Sequence, residues 1–239
     1  MVRVVRMVLG LVVAAFGSTT YVSAQESALQ DRNGDGVIEL LAFGDSITYG
    51  VGDGIEPGAY ISTIGEMGPP RGWPQRLSYS LGVAVLNAGV PGDQIVGEPG
   101  GREPGVERFP RVVVGSGVDT VIIKEGANDA FRSNPVTAVE RNLQKMINVA
   151  RADNKSVVLV TLAPPTVQHA AMTPLTMLYS AVIKQLGDLN SLQVVDIEAM
   201  FLADCPELST CKYYNLPEGL HPNTAGYDAI AQKFATSLQ

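Results

Sequence analysis

The chain has 239 residues, 46% of them hydrophobic and 17% charged, which is enough for one large domain with a substantial core. This composition excludes a disordered chain, and 17 Lys and Arg against 24 Asp and Glu give a formal net charge of −7. Because no cations are clustered, the sequence disfavours nucleic acid and anionic membranes as partners. Only two Cys and two His are present, which excludes a cysteine-rich zinc module.

The first 24 residues have the pattern of a secretory signal peptide. Two Arg precede an apolar run at residues 7–16, and small residues at 22–24 fit a cleavage site. The apolar run is about half the length that a membrane-spanning helix needs. We therefore expect cleavage after Ala24 and a secreted or periplasmic protein without a stable membrane anchor. An uncleaved anchor is the alternative.

The rest of the chain alternates short apolar runs with helical patterns. The predicted strands are residues 37–43, 83–87, 120–124, 156–162 and 193–197. The predicted helices are residues 73–81, 135–150, 175–189 and 224–238. Near-continuous Val, Ile and Leu runs are typical of parallel strands buried on both faces. The alternation predicts a single three-layer α/β domain over residues 25–239, with five strands.

Two segments rich in Gly and Pro, residues 50–72 and 90–111, are predicted surface loops. Both follow strand ends, where open α/β sheets bind their ligands. Near the end of the chain, Cys205 and Cys211 flank a stretch rich in turn formers. After export a local disulfide is predicted between them. Two independent thiols are the alternative, because spacing alone does not establish the geometry of a disulfide.

Ser46 is the first candidate for chemistry, because it follows the first predicted strand within the sequence Gly44-Asp45-Ser46. A serine hydroxyl needs a base that takes its proton, and a helix N-cap is the alternative role. Of the two imidazoles, His221 has a carboxylate three residues upstream, Glu218, which could orient its ring. His169 has no carboxylate nearby in sequence and is interpreted as structural.

A serine that attacks a carbonyl group also needs hydrogen-bond donors for the charge that develops on the carbonyl oxygen. Two Gly- and Asn-bearing segments follow the second and third predicted strands. They could present the backbone N–H of Gly89 and the side-chain amide of Asn128. Each segment alone is typical of a loop turn, and their position after successive parallel strands favours the functional interpretation.

These segments together resemble the four sequence blocks of the SGNH (GDSL-type) hydrolases. The blocks are GDSIT at 44–48, NAGVPG at 87–92, GAND at 126–129 and EGLHPN at 218–223, in the family's order. The resemblance implies a flavodoxin-like sheet, Ser46 as nucleophile and His221 as base. It also implies an oxyanion hole of the Ser46 and Gly89 N–H groups with the Asn128 amide.

The sequence departs from the family at one place, since Glu218 stands where the family usually has Asp. Glu is one methylene longer and could still reach the imidazole, or a main-chain carbonyl could orient the ring instead. The family implies a serine esterase that needs no metal or organic cofactor. Export and acidity favour a small-molecule or polysaccharide ester with short acyl groups such as acetyl. Lysophospholipase, arylesterase and non-catalytic carbohydrate binding are the alternatives.

One further motif, residues 31–39, has acidic or amide residues at the first, third and fifth places of an EF-hand-like loop. Ala42 occupies the twelfth place, where a bidentate Glu belongs, so a complete EF-hand is excluded. A polar turn is predicted, with a weak calcium-stabilised turn as the alternative.

Overall fold

The structure is a computed structural model that describes residues 28–54, 72–98 and 100–239. The predicted signal peptide and most of the predicted loop at 50–72 lie outside these residues. In the described part, no helix combines the length and apolar character needed to cross a membrane.

Five parallel strands form one sheet, in the order β2-β1-β3-β4-β5. The strands are β1 (Glu39–Gly44), β2 (Ala84–Gly89), β3 (Thr120–Lys124), β4 (Ser156–Val160) and β5 (Gln193–Val195). All five lie where the sequence predicts a strand, and the flavodoxin-like α/β prediction is confirmed. In this order the chain leaves β1 to one side and later returns to its other side. The point where the order reverses is where such sheets bind ligands.

The helices cover both faces of the sheet. They are α1 (Ser46–Tyr49), α2 (Gly72–Leu81), α3 (Gly105–Val113), α4 (Ala127–Phe131), α5 (Val136–Ala152), α6 (Thr173–Asn190), α7 (Ile197–Asp204) and α8 (Thr224–Leu238). Short 3₁₀ segments lie at Val167–Met172 and Leu208–Thr210.

Alternating residues of each strand supply two separate cores. Leu40 and Ala42 of β1 face a core that α2, α7 and α8 close, and Trp73 stacks on Phe234 there at 4.2 Å between ring centroids. Leu41 and Phe43 of β1 face the opposite core, which α3, α5 and α6 close. Because both faces are covered, the central strands β1, β3 and β4 are mostly apolar rather than alternating.

The prediction of a loop over residues 90–111 is wrong in its last third, where α3 begins at Gly105. Phe109 and Val113, four residues apart, are fully buried against the sheet. Pro104 precedes the first turn and Pro110 lies inside the helix, so the segment looked like a loop by composition. The apolar spacing decides the structure here, because it puts both side chains on one helical face.

Candidate active site

Ser46 begins α1 immediately after the carboxyl end of β1. Asp45 caps this turn, since its Oδ1 accepts the Ile47 N–H at 2.9 Å, and Lys124 Nζ lies 3.2 Å from both Asp45 oxygens. A Cβ at Gly44 would lie 2.1 Å from the Lys124 carbonyl oxygen, so only glycine lets the turn pack this closely on β3. Among the described residues, the Ser46 N–H has no acceptor. The turn therefore leaves one backbone donor free beside the hydroxyl.

The structure brings Ser46, His221 and Glu218 into one hydrogen-bonded chain. Nε2 of His221 lies 3.0 Å from the Ser46 Oγ, and Nδ1 lies 2.7 Å from Oε1 of Glu218. The other Glu218 oxygen accepts the main-chain N–H groups of Leu220 at 2.9 Å and His221 at 2.8 Å. The three side chains have the geometry of a catalytic triad, in which such groups act as nucleophile, base and orienting acid.

The pKa of Glu218 reflects competition between burial and hydrogen bonding. Partial burial alone would raise it. The hydrogen bonds from the His221 ring and from the N–H groups of His221 and Leu220 outweigh burial and lower the pKa of Glu218 to about 2. The carboxylate is therefore ionised at neutral pH and can stabilise an imidazolium.

Asn215 holds the segment that carries His221, a role that the sequence analysis missed. Its amide donates to the Gly52 carbonyl at 3.1 Å and to the carbonyls of His221 at 3.3 Å and Pro222 at 3.0 Å. A Cβ at Gly52, where φ is +94°, would lie 2.5 Å from that amide. An asparagine in a loop carries no sequence signal for this contact, which joins residues 163 positions apart.

The carbonyl-binding candidates follow β2 and β3, on either side of β1 in the sheet. Nδ2 of Asn128 donates one N–H to the Asp93 carbonyl at 2.8 Å, which orients the amide and leaves its second N–H. The Gly89 N–H, expected to face an oxyanion, instead donates to Oδ1 of Asn87 at 2.9 Å. Gly92, with φ +81°, has an N–H that donates to no acceptor in the described ranges.

His169 lies closer to the site than the sequence indicates. Its Nε2 is 3.7 Å from Oε1 of Glu218, and its ring centroid is 6.5 Å from that of Phe131. It makes no hydrogen bond to Ser46 in the described part of the chain. The structure therefore puts both imidazoles at one carboxylate but only His221 at the serine.

The remaining predicted features lie apart from the triad. Cys205 and Cys211 form a disulfide with 5.1 Å between their Cα atoms, after α7. In the EF-hand-like segment, the Asp31 oxygens accept the N–H groups of Gly34 at 2.6 Å and Gly36 at 2.9 Å, which closes a polar turn. Within the described ranges, no group of three or more His, Cys, Asp or Glu is arranged to hold a metal ion.

A model of the GDSL-like lipase/acylhydrolase family matches residues 42–229, which include the triad and Asn128. The chain belongs to this family. The chain is 26% identical over 147 residues to esterase TesA of Pseudomonas aeruginosa. That match covers 61% of this chain and 65% of TesA, so it spans less than two thirds of the relative's length.

Solved structures of two other proteins share the fold. A lipase/acylhydrolase from Enterococcus faecalis is 24% identical with a TM-score of 0.65, over 84% of this chain and 94% of that one. A catalytic mutant of Axe2, an acetylxylan esterase from Geobacillus stearothermophilus, is 21% identical with a TM-score of 0.63, over the same shares of 84% and 94%. At these identities the likeness establishes the fold alone.

Proposed function

We propose that this chain is a serine esterase that hydrolyses carboxylic esters through an acyl-enzyme. The observation that carries the proposal is the contact of His221 Nε2 with Ser46 Oγ at 3.0 Å, with Glu218 at 2.7 Å from the other ring nitrogen. A serine hydroxyl in contact with a neutral imidazole whose other nitrogen is held by a carboxylate is activated as a nucleophile.

In the first half of the reaction, Ser46 Oγ attacks the ester carbonyl carbon while His221 takes the hydroxyl proton. The carbonyl π electrons move to oxygen, and the tetrahedral intermediate carries one negative charge. Its collapse breaks the bond to the alcohol oxygen, which receives the proton from His221. In the second half, water gives its proton to His221 and attacks the acyl-enzyme, and collapse releases the acid and reprotonates Ser46.

The negative oxygen of the intermediate needs donors that are free before the reaction. We assign this role to the Ser46 N–H, the second N–H of the Asn128 amide and the Gly92 N–H. Gly92 replaces Gly89 in this assignment because the Gly89 N–H is already bonded to the Asn87 side chain. Gly92 lies in the turn that follows β2, closed by the Asp93 N–H on the Val90 carbonyl at 3.0 Å.

The proposed substrate is a short-chain ester, with acetyl groups on carbohydrate as the first choice. Family membership supports ester chemistry, and the likeness to an acetylxylan esterase is consistent with an acetyl substrate. Lysophospholipid and aryl esters are the alternatives. Hydrolysis rates on p-nitrophenyl esters of increasing chain length, on acetylated xylan and on lysophospholipid test this choice. Activity that rises with chain length overturns the short-acyl proposal, and no hydrolysis at all favours a non-catalytic binding protein.

Export completes the proposal. Cleavage after Ala24 would release a protein that works outside the cytoplasm, where a disulfide between Cys205 and Cys211 is stable. The intact mass of the protein recovered from the medium or periplasm tests this directly. A chain that begins at Gln25 supports export, and a full-length chain retained with the cells contradicts it.

A further inference from the structure

Glu125 is a buried carboxyl group that the proposed mechanism does not use. It follows β3 directly and is 1% exposed. Neither of its carboxyl oxygens accepts a hydrogen bond from an N–H or O–H of the described residues. An ionised carboxylate is costly to bury without such donors or a cation. The surroundings of Glu125 therefore determine in which form it can exist.

The side chain that Glu125 faces is itself acidic. Its carboxyl group lies within hydrogen-bonding range of the Asp93 carboxyl. Asp93 is also 1% exposed, and its Oδ2 lies 2.8 Å from Nε and 2.5 Å from Nη2 of Arg108. Among the described residues, Arg108 thus forms its ion pair with Asp93 and not with Glu125. Two buried carboxyl groups this close cannot both ionise, so one of them holds a proton.

The charges of the buried cluster assign that proton to Glu125. Arg108 balances Asp93, and Lys124 balances Asp45. A charge on Glu125 would be a third negative charge beside two cations that are already paired. Burial, the charge of Asp93 and the hydrogen bond to Asp93 raise the pKa of Glu125, and Asp45 adds to this, against a smaller opposing effect of Arg108.

Gly105 closes the cluster from the opposite side. A Cβ at this position would lie 2.7 Å from Oε2 of Glu125, so α3 begins in direct contact with the carboxyl group. The Gly105 N–H donates to the Gln94 carbonyl at 2.6 Å and is not available to the acid. Gly105 therefore supplies no donor to the carboxyl group, and Asp93 remains the group with which Glu125 interacts.

Asp93 links this acidic pair to the proposed oxyanion site. Its main-chain carbonyl accepts Nδ2 of Asn128 at 2.8 Å, and its N–H closes the turn that contains Gly92. A shift of Asp93 would therefore move the Asn128 amide and the Gly92 turn together. Displacements of about 1 Å in a positioned group can lower turnover about a hundred-fold.

We infer that Glu125 is a neutral carboxylic acid in the working protein, that it donates its O–H to Asp93, and that this bond holds Asn128 in place. Glu125 is thus a positioning residue, which acts through Asp93 and Asn128. Its positioning role rests on the proposed esterase function, whereas its protonation does not.

Infrared difference spectroscopy tests the proton without any reference to catalysis. At neutral pH, the infrared spectrum of the full-length wild type minus that of Glu125→Gln should contain the C=O stretching band of a carboxylic acid. Glu198→Gln is the matched control, because Glu198 is buried but pairs with Lys184 at 3.0 Å and should contribute only carboxylate bands. Absence of the acid band from the Glu125 difference overturns the inference, whatever the protein hydrolyses.

Kinetics test the positioning role. Glu125→Gln keeps a neutral donor and should retain kcat within about threefold, whereas Glu125→Leu removes the donor and should lower kcat about ten- to hundred-fold at unchanged KM.

Glu125→Gln should also lose any alkaline fall in activity that wild type has. An unchanged kcat in folded Glu125→Leu, or a Gln variant as impaired as Leu, overturns the role. If Glu125→Leu does not fold, the pH profile of Glu125→Gln decides. If the wild type hydrolyses no ester, the proposed function is wrong. The infrared difference spectrum still tests whether Glu125 is protonated.

Discussion

One carboxylate fixes both the ring and the main chain of His221. Oε1 of Glu218 lies 2.7 Å from Nδ1, and Oε2 accepts the His221 N–H at 2.8 Å. A proton held on Nδ1 leaves Nε2 free to accept the proton of Ser46. Of the two ways to orient the ring that the sequence left open, a carboxylate or a main-chain carbonyl, the geometry favours Glu218.

Removing this carboxylate should impair turnover strongly. We expect Glu218→Ala to lower kcat about 10³- to 10⁴-fold, because the ring loses its tautomer preference and the imidazolium its countercharge. Glu218→Asp, with a shorter reach, should retain intermediate activity. Steady-state kinetics of the three proteins check this. A near-normal kcat in Glu218→Ala would identify a Ser46–His221 dyad.

The lowered pKa of Glu218 predicts a pH dependence of stability. With a folded-state pKa near 2 against an ordinary value of 4.5, the ionised group stabilises the fold fully above about pH 4.5. That contribution is lost as the pH falls from about 4.5 towards 2. Urea unfolding of wild type and Glu218→Gln should therefore converge in stability over this window. Most of this loss falls between roughly pH 6 and pH 3. A difference in stability between the two proteins that stays constant over that range would contradict the lowered pKa of Glu218.

Asn128 should matter for the transition state rather than for substrate binding. In the proposed mechanism the Asn128 amide is aimed at charge that develops during the reaction, so we expect Asn128→Ala to lower kcat roughly 10²- to 10³-fold with little change in KM. Asn87→Ala serves as a comparison, because that side chain bonds only main-chain atoms of neighbouring turns. An effect of Asn128→Ala confined to KM would move the residue to substrate binding.

The two imidazoles at Glu218 should behave differently. His169→Gln should keep kcat within about tenfold, since His169 lies 3.7 Å from the carboxylate without contacting Ser46. His221→Gln should lose on the order of a million-fold, as loss of a triad base does elsewhere. Parallel assays under identical conditions check the pair. A larger loss in His169→Gln than in His221→Gln would reverse the assignment of the base.

The strands could be predicted because a strand buried on both faces is a short apolar run in the sequence. The long helices could be predicted because their apolar residues recur at helical spacing. Thr120 to Lys124 is an example, since the predicted strand and β3 coincide. Helix α3 was not predicted, because two prolines masked the spacing of Phe109 and Val113. Helix α7 was not predicted either, because it follows β5 with only one residue between them.

The candidate residues for chemistry could be narrowed from the sequence where a residue type was scarce. With two histidines in the chain, the candidates for an imidazole base were His169 and His221, and the nearby Glu218 favoured His221. The proposed Gly92 donor could not be predicted from the sequence, because only the fold shows that the Gly89 N–H donates to the Asn87 side chain. The burial of Glu125 could not be predicted from the sequence either, since it depends on where α3 begins.

Labelling of the nucleophile tests the central claim most directly. Wild-type protein treated with a fluorophosphonate, digested and analysed by mass spectrometry should carry one adduct, on Ser46. Folded Ser46→Ala should carry none and should lose about a million-fold in ester turnover, and folded His221→Ala should label far more slowly. A folded wild type that hydrolyses esters with no adduct on Ser46, or with the adduct on another serine, would contradict the account.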